Sequence, residues 1–296
     1  MKILVSGSSG FVGNALVTHL KGAGHETWRL VRNSATAENT IRWDPASGQI
    51  DAAACERFEA VVHLGGENIA AGRWTRRRKK RLRKSRVNST RFLALTLSQL
   101  QQPPKVFACA SAIGIYGDRG KEKLTESATP GEGFLADISR EWEQACEPAA
   151  TRGIRVVNYR LGIVLGKGGG ALAKMLPIFR FGLGGKIGNG RQYWSWISLA
   201  DTVRAMTFCL ESEKVSGPVN MVSPIPLTNR EFTKTLGCSL HRPTLLPLPA
   251  FVARIVLGEM ADAALLASAR VLPTALTAAG FDFRHVDLGD AFASAI

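Results

Sequence analysis

"KILVSGSSGFVGNALVTHLKGAGHETWRLVR", residues 2–32, decides the fold. Ile3, Leu4 and Val5 read as a short buried strand. Gly7, Gly10 and Gly13 follow at intervals of three, and Ala15, Leu16, Val17 and Leu20 continue with helical spacing. Gly22 and Gly24 punctuate the end of that helix, and "ETWRLV" is a second strand. In such a unit the first glycine permits a tight turn and the next lets a pyrophosphate approach the backbone. The last lets helix and strand pack closely, and the phosphates meet the helix N-terminus, whose free N–H groups and dipole favour anions. Three glycines alone are a weak signal. Placed directly after a strand and directly before a helix, they predict a dinucleotide site. Sites that choose NAD carry Asp or Glu at the end of the second strand, to bind the ribose 2′-hydroxyl. Here Val31 is followed by Arg32, Asn33 and Ser34. A guanidinium suits a 2′-phosphate through charge and a bidentate fork, so the expected cofactor is NADP(H).

Further strands are expected in "FEAVVHLGG", "KVFACASAIGIYGD", "RVVNYRLGIVLG" and "GPVNMV", with helices near 88–100, 137–150 and 200–211. Alternating strands and helices imply an α/β fold, a Rossmann-like, doubly wound parallel sheet. The chain has 296 residues, 45% of them hydrophobic, enough for a sizeable core. No apolar run is long enough to cross a membrane, and the apolar part of the start is too short for a signal peptide. Five scattered cysteines without a Cys-x-x-Cys pair indicate reduced thiols and a cytoplasmic location, and the five histidines show no metal-ligand spacing. No metal is expected.

"SGSSGFVG", "VVHLGG", "VNST" and "SAIGIYGD" resemble the extended short-chain dehydrogenase/reductase superfamily, which includes nucleotide-sugar epimerases. "HLGGENIAAGRW", "SRVNST", "GGALAKMLPIFRFGLGGKIGNGRQYWSWI" and "PVNMVSPIPLTNREF" are more closely similar to an atypical NADP-binding branch, the "epimerase family" proteins. The segment "HRPTLLPLPAFVARIVLGEMADAALLASARVLPTALTAAGFDF" resembles that branch's own C-terminal domain of unknown function. The resemblance implies that Gly7, Gly10 and Gly13 hold the pyrophosphate while Ser8, Ser9, Phe11 and Val12 line it. It further implies that Val31 and Arg32 flank the 2′-phosphate, that Leu64 and Gly65 pass beneath the cofactor, that Arg86 reaches it, and that Val164 borders the nicotinamide. Two positions depart from the branch: Gly65 stands where it usually has Ala, and Ser198 where it usually has His. The expected division is a nucleotide-binding core over 1–166, to which 196–222 returns, with a small substrate-side subdomain from 167–195 and 223–296.

The net charge of +14 is concentrated in "RRRKKRLRKSR", residues 76–86, with nine basic residues in eleven. It precedes a helix with an apolar stripe at Leu93, Ala94, Leu97 and Leu100, and holds one apolar residue, Leu82. The run reads as an exposed helix face that could steer an anionic cofactor or substrate. It has no interleaved aromatics and no nucleic-acid module beside it, so nucleic acid is not the expected partner. The expected partner is a small molecule, with no membrane; a homodimer is compatible with the sequence.

The superfamily's proton donor is a Tyr-x-x-x-Lys pair. Four residues after Tyr116, Tyr159 and Tyr193 stand Gly120, Ile163 and Ile197, so the pair is missing. Asp137 and Glu141, near its usual place, read as helix charges complementing the dipole. Ser111 ends its strand where the superfamily keeps a substrate-binding serine, although alignment through "IYG" puts Ala112 there equally well. Tyr116 is the substitute proton donor if its environment lowers its pKa, or an aromatic packed under the loop. Arg191, Gln192, Trp194 and Trp196 are candidates for substrate contact, with core the preferred reading of Trp196. Thr228 and Glu231 have the spacing of a capping box. Two functions fit: an NADP(H)-dependent oxidoreductase or epimerase-like enzyme of unknown substrate, or a non-catalytic NADP(H)-binding redox-sensing regulator.

Overall fold

A computed structural model describes residues 1–32 and 37–296. Asn33 and Ser34 lie outside the described residues. The order begins β1 (Lys2–Ser6), α1 (Phe11–Gly22), β2 (Glu26–Val31), β3 (Thr40–Asp44), β4 (Gln49–Ile50) and β5 (Ala60–His63). It continues with α2 (Arg76–Arg83), a π-helical turn Lys84–Asn88, α3 (Ser89–Ser98), β6 (Val106–Ala112), β7 (Lys123–Leu124), α4 (Phe134–Gln144) and α5 (Glu147–Thr151). Then come β8 (Arg155–Leu161), β9 (Ile163–Leu165), α6 (Gly170–Arg180), β10 (Tyr193–Trp194), β11 (Trp196–Ser198), α7 (Leu199–Glu211) and β12 (Gly217–Met221). The remainder is β13 (Leu227–Thr228), α8 (Asn229–Ser239), α9 (Ala250–Leu257), a π-helical segment Ala261–Leu266, β14 (Arg270–Val271), α10 (Thr274–Ala278) and α11 (Leu288–Ala295).

Eight strands form the central sheet in the order β12-β8-β6-β5-β1-β2-β3-β4, parallel except for the β3–β4 pair. Strand order reverses between β1 and β5, and such a reversal opens a crevice outside the carboxyl ends of the two strands. One apolar layer contains Leu16, Val17, Leu20, Val203, Met206 and Leu210 beneath β1, β5, β6, β8 and β12. The other contains Leu93, Ala94, Leu97, Trp142 and Ala149 on the opposite face. Strands buried on both faces are continuously apolar, as in Ile3-Leu4-Val5 and Ala60-Val61-Val62.

A separate cluster joins Leu172, Phe179, Trp194, Trp196, Phe232, Leu236, Leu288 and Phe292. It joins β9, α6, β10, β11, α8 and α11, none of which is a strand of the central sheet or a helix of the two layers named above. Asp201, fully buried in the first turn of α7, holds the C-terminal segment to the core. It accepts hydrogen bonds from the backbone N–H groups of Arg284 at 2.9 Å and His285 at 2.8 Å. Ser198 caps α7 and lies 3.0 Å from His285 Nδ1.

Candidate functional site

The site begins where β1 ends. Gly7 has φ +70, and a Cβ there would lie 2.7 Å from the carbonyl carbon of Leu64. Only glycine combines that conformation with that approach. A Cβ on Gly13 would lie 2.2 Å from Gly7 O, so this residue must be small for α1 to pack on the turn. Gly10 donates its N–H to Gly7 O at 3.0 Å. It caps α1 without a side chain, and no acidic residue stands in the first turn. The N–H groups of Phe11, Val12 and Gly13 precede the first intrahelical bonds. The turn is therefore a cradle of backbone donors at the positive end of a helix, and an anion fits it. Ser8 is buried and Ser9 exposed beside it.

The two strands beside β1 and the loop after β9 complete the edge. Ser6 is in register with Leu30 of β2, which puts Val31 and the exposed Arg32 at the cradle's flank. On the other side Leu64 N–H donates to Ser6 O at 3.2 Å, so the Leu64–Gly65 backbone runs against Gly7. From β9, Val164 leads into a glycine-rich loop over the start of α1: a Cβ on Gly169 would lie 2.2 Å from the Phe11 ring. Gly7, Ser8, Ser9, Gly10, Phe11, Val12, Gly13, Val31, Arg32, Leu64, Gly65 and Val164 thus lie along one edge.

Arg86 is placed differently from the rest. It sits in the π-helical turn with its guanidinium over the Trp142 ring, 5.1 Å from the centroid. It donates to Glu67 O at 2.9 Å and to Leu82 O at 3.2 Å. Burial lowers its pKa to about 10, which leaves it cationic at neutral pH. In this conformation Arg86 fixes the strand-exit loop beside the cradle.

Sequence reasoning passed over His63. It is fully buried, bonded through Nδ1 to Ser6 Oγ and through Nε2 to Ser89 Oγ at 3.3 Å. Ser89 Oγ in turn donates to Ser85 O at 2.8 Å. The imidazole therefore links the last residue of β1 to the start of α3. Desolvation lowers its pKa to about 4, so it is neutral near pH 7. The glycine at 65 also acquires a reason: a Cβ there would lie 2.9 Å from His63 Cε1. "VVHLGG" contained the signal, a polar residue closing an otherwise apolar buried strand.

Ser111 and Tyr116 lie inside a polar network. Ser111 Oγ donates to Glu143 Oε1 at 2.7 Å. Arg160 forms a fork on the same carboxylate, Nε to Oε1 at 2.8 Å and Nη2 to Oε2 at 2.9 Å. Arg160 Nη1 also donates to Tyr116 Oη at 2.8 Å, and Tyr116 donates to Asn220 Oδ1 at 2.7 Å. Ser111 is 2% exposed and Tyr116 0%. Burial raises the Tyr116 pKa, outweighing the nearby Arg160 charge, so the environment favours the neutral phenol. This differs from the lowered pKa that a tyrosine proton donor requires. The network ties β6, β8 and β12 to α4; neither hydroxyl is free in this conformation.

The remaining candidates separate. Gln192 is buried, donating to Ile187 O and Leu265 O, and Trp194 donates to Leu265 O. Arg191 is exposed, and Trp196 is wholly buried. Asp137 pairs with Arg140, and Glu141 with Arg83 at 3.0 Å. The basic run forms α2 and the π-helical turn: Arg81 meets Glu67 at 2.9 Å, Lys79 meets Glu259, and Leu82 is buried beneath.

Comparison with known proteins places these features in a family. The model of the NAD dependent epimerase/dehydratase family matches residues 3–221, and that of a domain of unknown function, DUF1731, matches 248–295. An epimerase family protein of Mycobacterium leprae is 42% identical, over 99% of this chain and 95% of its own. The epimerase family protein YfhF of Bacillus subtilis is 34% identical, over 97% of this chain and 95% of its own. The crystal structure of human epimerase family protein SDR39U1 with NADPH superposes with a TM-score of 0.90 at 35% identity, covering 98% of this chain and 97% of that one.

Proposed function

The chain belongs to the NAD dependent epimerase/dehydratase family, and from that premise we propose that it is an NADP(H)-dependent oxidoreductase or epimerase-like enzyme acting on a small molecule. The observation that carries the reading is the cradle: Gly7 against the Leu64 carbonyl, Gly13 against Gly7 O, and a helix start with neither a side-chain cap nor an acid. Arg32 at the end of β2 supports a 2′-phosphate, and the human relative solved with NADPH supports the same cofactor. Gly7 to Gly13 would hold the pyrophosphate, Val31 and Arg32 the 2′-phosphate, and Leu64, Gly65 and Val164 the underside and nicotinamide end. Arg86 would keep the strand-exit loop in place. When bound, the nicotinamide supplies or accepts hydride.

The nucleotide core would be 1–166 with 196–222, and the substrate side 167–195 with 223–296; the apolar cluster that gathers Leu172, Phe179, Trp194, Phe232, Leu236, Leu288 and Phe292 joins the two through Leu165 and Trp196. No described helix is long and apolar enough to cross a membrane. The five cysteines are free, which supports a reducing, cytoplasmic setting.

Ser111 and Tyr116 enter the proposal as residues that hold the substrate side of the sheet edge through Glu143 and Arg160. They meet a substrate oxygen only if that network opens. This closed network favours the second reading, a non-catalytic NADP(H)-binding regulator that senses redox state. NADPH oxidation against a carbonyl panel, for wild type, Ser111→Ala and Tyr116→Phe, separates the two. The enzyme reading expects turnover that falls in one or both variants. Robust turnover untouched by both rejects these residues. No turnover on any substrate, together with a protein partner bound only with NADPH, selects the regulator.

A further inference from the structure

Among the described residues, every large apolar side chain that is more than half exposed belongs to one of three segments outside the central sheet. Ile178, Phe181 and Leu183 come from the end of α6 and the turn after it, and Leu245 and Leu246 from the stretch before α9. Phe251, Ile255 and Val256 come from α9 itself. Phe181 is 80% exposed and Leu245 82%. The other exposed large apolar residues, Leu95, Ile225, Val286 and Ile296, stand apart in the sequence and are each less than half exposed, as single apolar residues on a folded surface ordinarily are.

The backbone makes neighbours of the three segments. Arg242 Nε donates to Arg180 O at 2.8 Å, and a Cβ on Gly185 would lie 1.9 Å from Leu246 O. The chain leaving α6 therefore runs against the stretch that bears Leu245 and Leu246. Leu248 N–H donates to Lys186 O at 2.9 Å, and Leu248 O accepts the N–H of Gly188 at 2.9 Å, which carries the pairing up to the start of α9. A Cβ on Gly188 would lie 3.8 Å from Ala250 Cβ. Phe251 and Ile255 are one helical turn apart, so they share a face of α9. Folding thus leaves the apolar side chains of three adjoining segments in water, where burial would favour them.

The charge carried by these segments has one sign. No Asp or Glu stands between Glu147 and Asp201, or between Glu231 and Glu259, the two stretches that supply all of these apolar side chains. Lys174, Arg180, Arg242 and Arg254 are exposed on the same segments, and of these Arg254 meets an acid, Asp262. A second copy docked through the same surface would set the cations against their own kind, which costs affinity. An anionic bilayer accepts both features at once: apolar side chains enter the boundary between headgroups and acyl chains, and cations stay at headgroup level. We propose that Phe181, Leu183, Leu245, Leu246, Phe251 and Ile255 form a docking surface for an anionic lipid bilayer, with Lys174, Arg180 and Arg242 at the headgroups. The chain lies on such a bilayer without crossing it, since no described helix is long and apolar enough to span one. This departs from the expectation of no membrane contact, which rested on the absence of a spanning run in the sequence.

The test is co-sedimentation of the full chain with lipid vesicles at physiological ionic strength, comparing phosphatidylcholine alone with an equal mixture of phosphatidylcholine and phosphatidylglycerol. The variants at the surface are Phe181→Ser with Leu245→Ser, and Lys174→Gln with Arg180→Gln. The controls are Leu95→Ser, an exposed apolar residue of α3, and Arg76→Gln with Arg77→Gln and Lys80→Gln in the basic run. Wild type should bind the mixed vesicles at least tenfold more tightly than the neutral ones. The serine pair should weaken that binding at least tenfold and the glutamine pair at least threefold, with melting temperature and NADPH affinity unchanged in both. Both controls should stay within twofold of wild type. Absence of wild-type binding to the mixed vesicles overturns the proposal, as does equal binding by either surface variant. Loss in the basic-run control alone assigns the attraction to α2 and also overturns it. A concentration-dependent dimer that the serine pair abolishes, without vesicle binding, gives the surface to a second copy and rejects the lipid.

Discussion

His63 links a buried hydrogen-bond chain to the pH dependence of the fold. Its folded pKa, about 4, lies below the 6.5 of an exposed imidazole because the charged form would be desolvated. The unfolded chain therefore binds the proton more readily between those values. Its effect on stability is absent above about pH 6.5, grows as pH falls toward 4, and levels off below that. The full shift corresponds to roughly 3 kcal/mol of destabilisation. Urea unfolding midpoints measured from pH 7 to pH 4 should fall more steeply for wild type than for His63→Gln; parallel curves would show that the imidazole is not held neutral. A second residue contrast concerns glycine. Gly13→Ala puts a methyl 2.2 Å from Gly7 O and should cost about 1–3 kcal/mol. Gly22→Ala, near the end of the same helix with nothing within 4 Å, should be neutral or stabilise by up to about 1 kcal/mol. Thermal melting of the two variants decides, and equal melting temperatures would contradict the close-packing role of Gly13.

At the scale of elements, α2 shows how a run of charge becomes a surface. Thr75 caps it by accepting the Arg78 N–H, Leu82 anchors it, and Glu67, Glu141 and Glu259 take four of its cations. Arg76, Arg77 and Lys80 have no such partner among the described residues. Replacing all three by Gln should change stability by no more than about 0.5 kcal/mol. It should reveal no nucleic-acid affinity at physiological salt; tight, sequence-selective binding by wild type that disappears in this variant would contradict the surface reading. The β6–β8–β12 network behaves oppositely. Arg160→Met would strand the Glu143 carboxylate, 14% exposed, and should cost about 3–5 kcal/mol in chemical denaturation. A loss below about 1 kcal/mol would mean that water already serves Glu143. Sequence periodicity carried α1, α3 and α7, because each buries a stripe on the sheet, and Thr228 with Glu231 forms the capping box their spacing announces. It did not carry β3, a five-residue strand near the sheet edge, or the π-helical turn that directs Arg86 inward. Nor could spacing reveal that Glu143 accepts from both Ser111 and Arg160, the latter seventeen residues away, since that arrangement exists only once β6, β8 and α4 are adjacent.

At the scale of the molecule, the strand order places β1, β2 and β5 side by side and the loop after β9 reaches the Phe11 ring, so that residues from four distant segments meet at one edge. The glycine spacing made the first of these legible, because the constraint is local. The resemblance to a family supplied Leu64, Gly65, Arg86 and Val164, which no local pattern marks. The tether of Asp201 to Arg284 and His285 was legible in neither way, being formed by a side chain and backbone groups 83 and 84 residues apart. The central claim is that this edge binds NADP(H) with Arg32 reading the 2′-phosphate. The most direct measurement is fluorescence titration of NADPH and NADH against wild type and Arg32→Ala. Wild type should bind NADPH more tightly than NADH, and Arg32→Ala should weaken NADPH by about 1–3 kcal/mol while leaving NADH affinity unchanged. Equal affinities for the two dinucleotides, a preference for NADH, or no binding of either would contradict the claim.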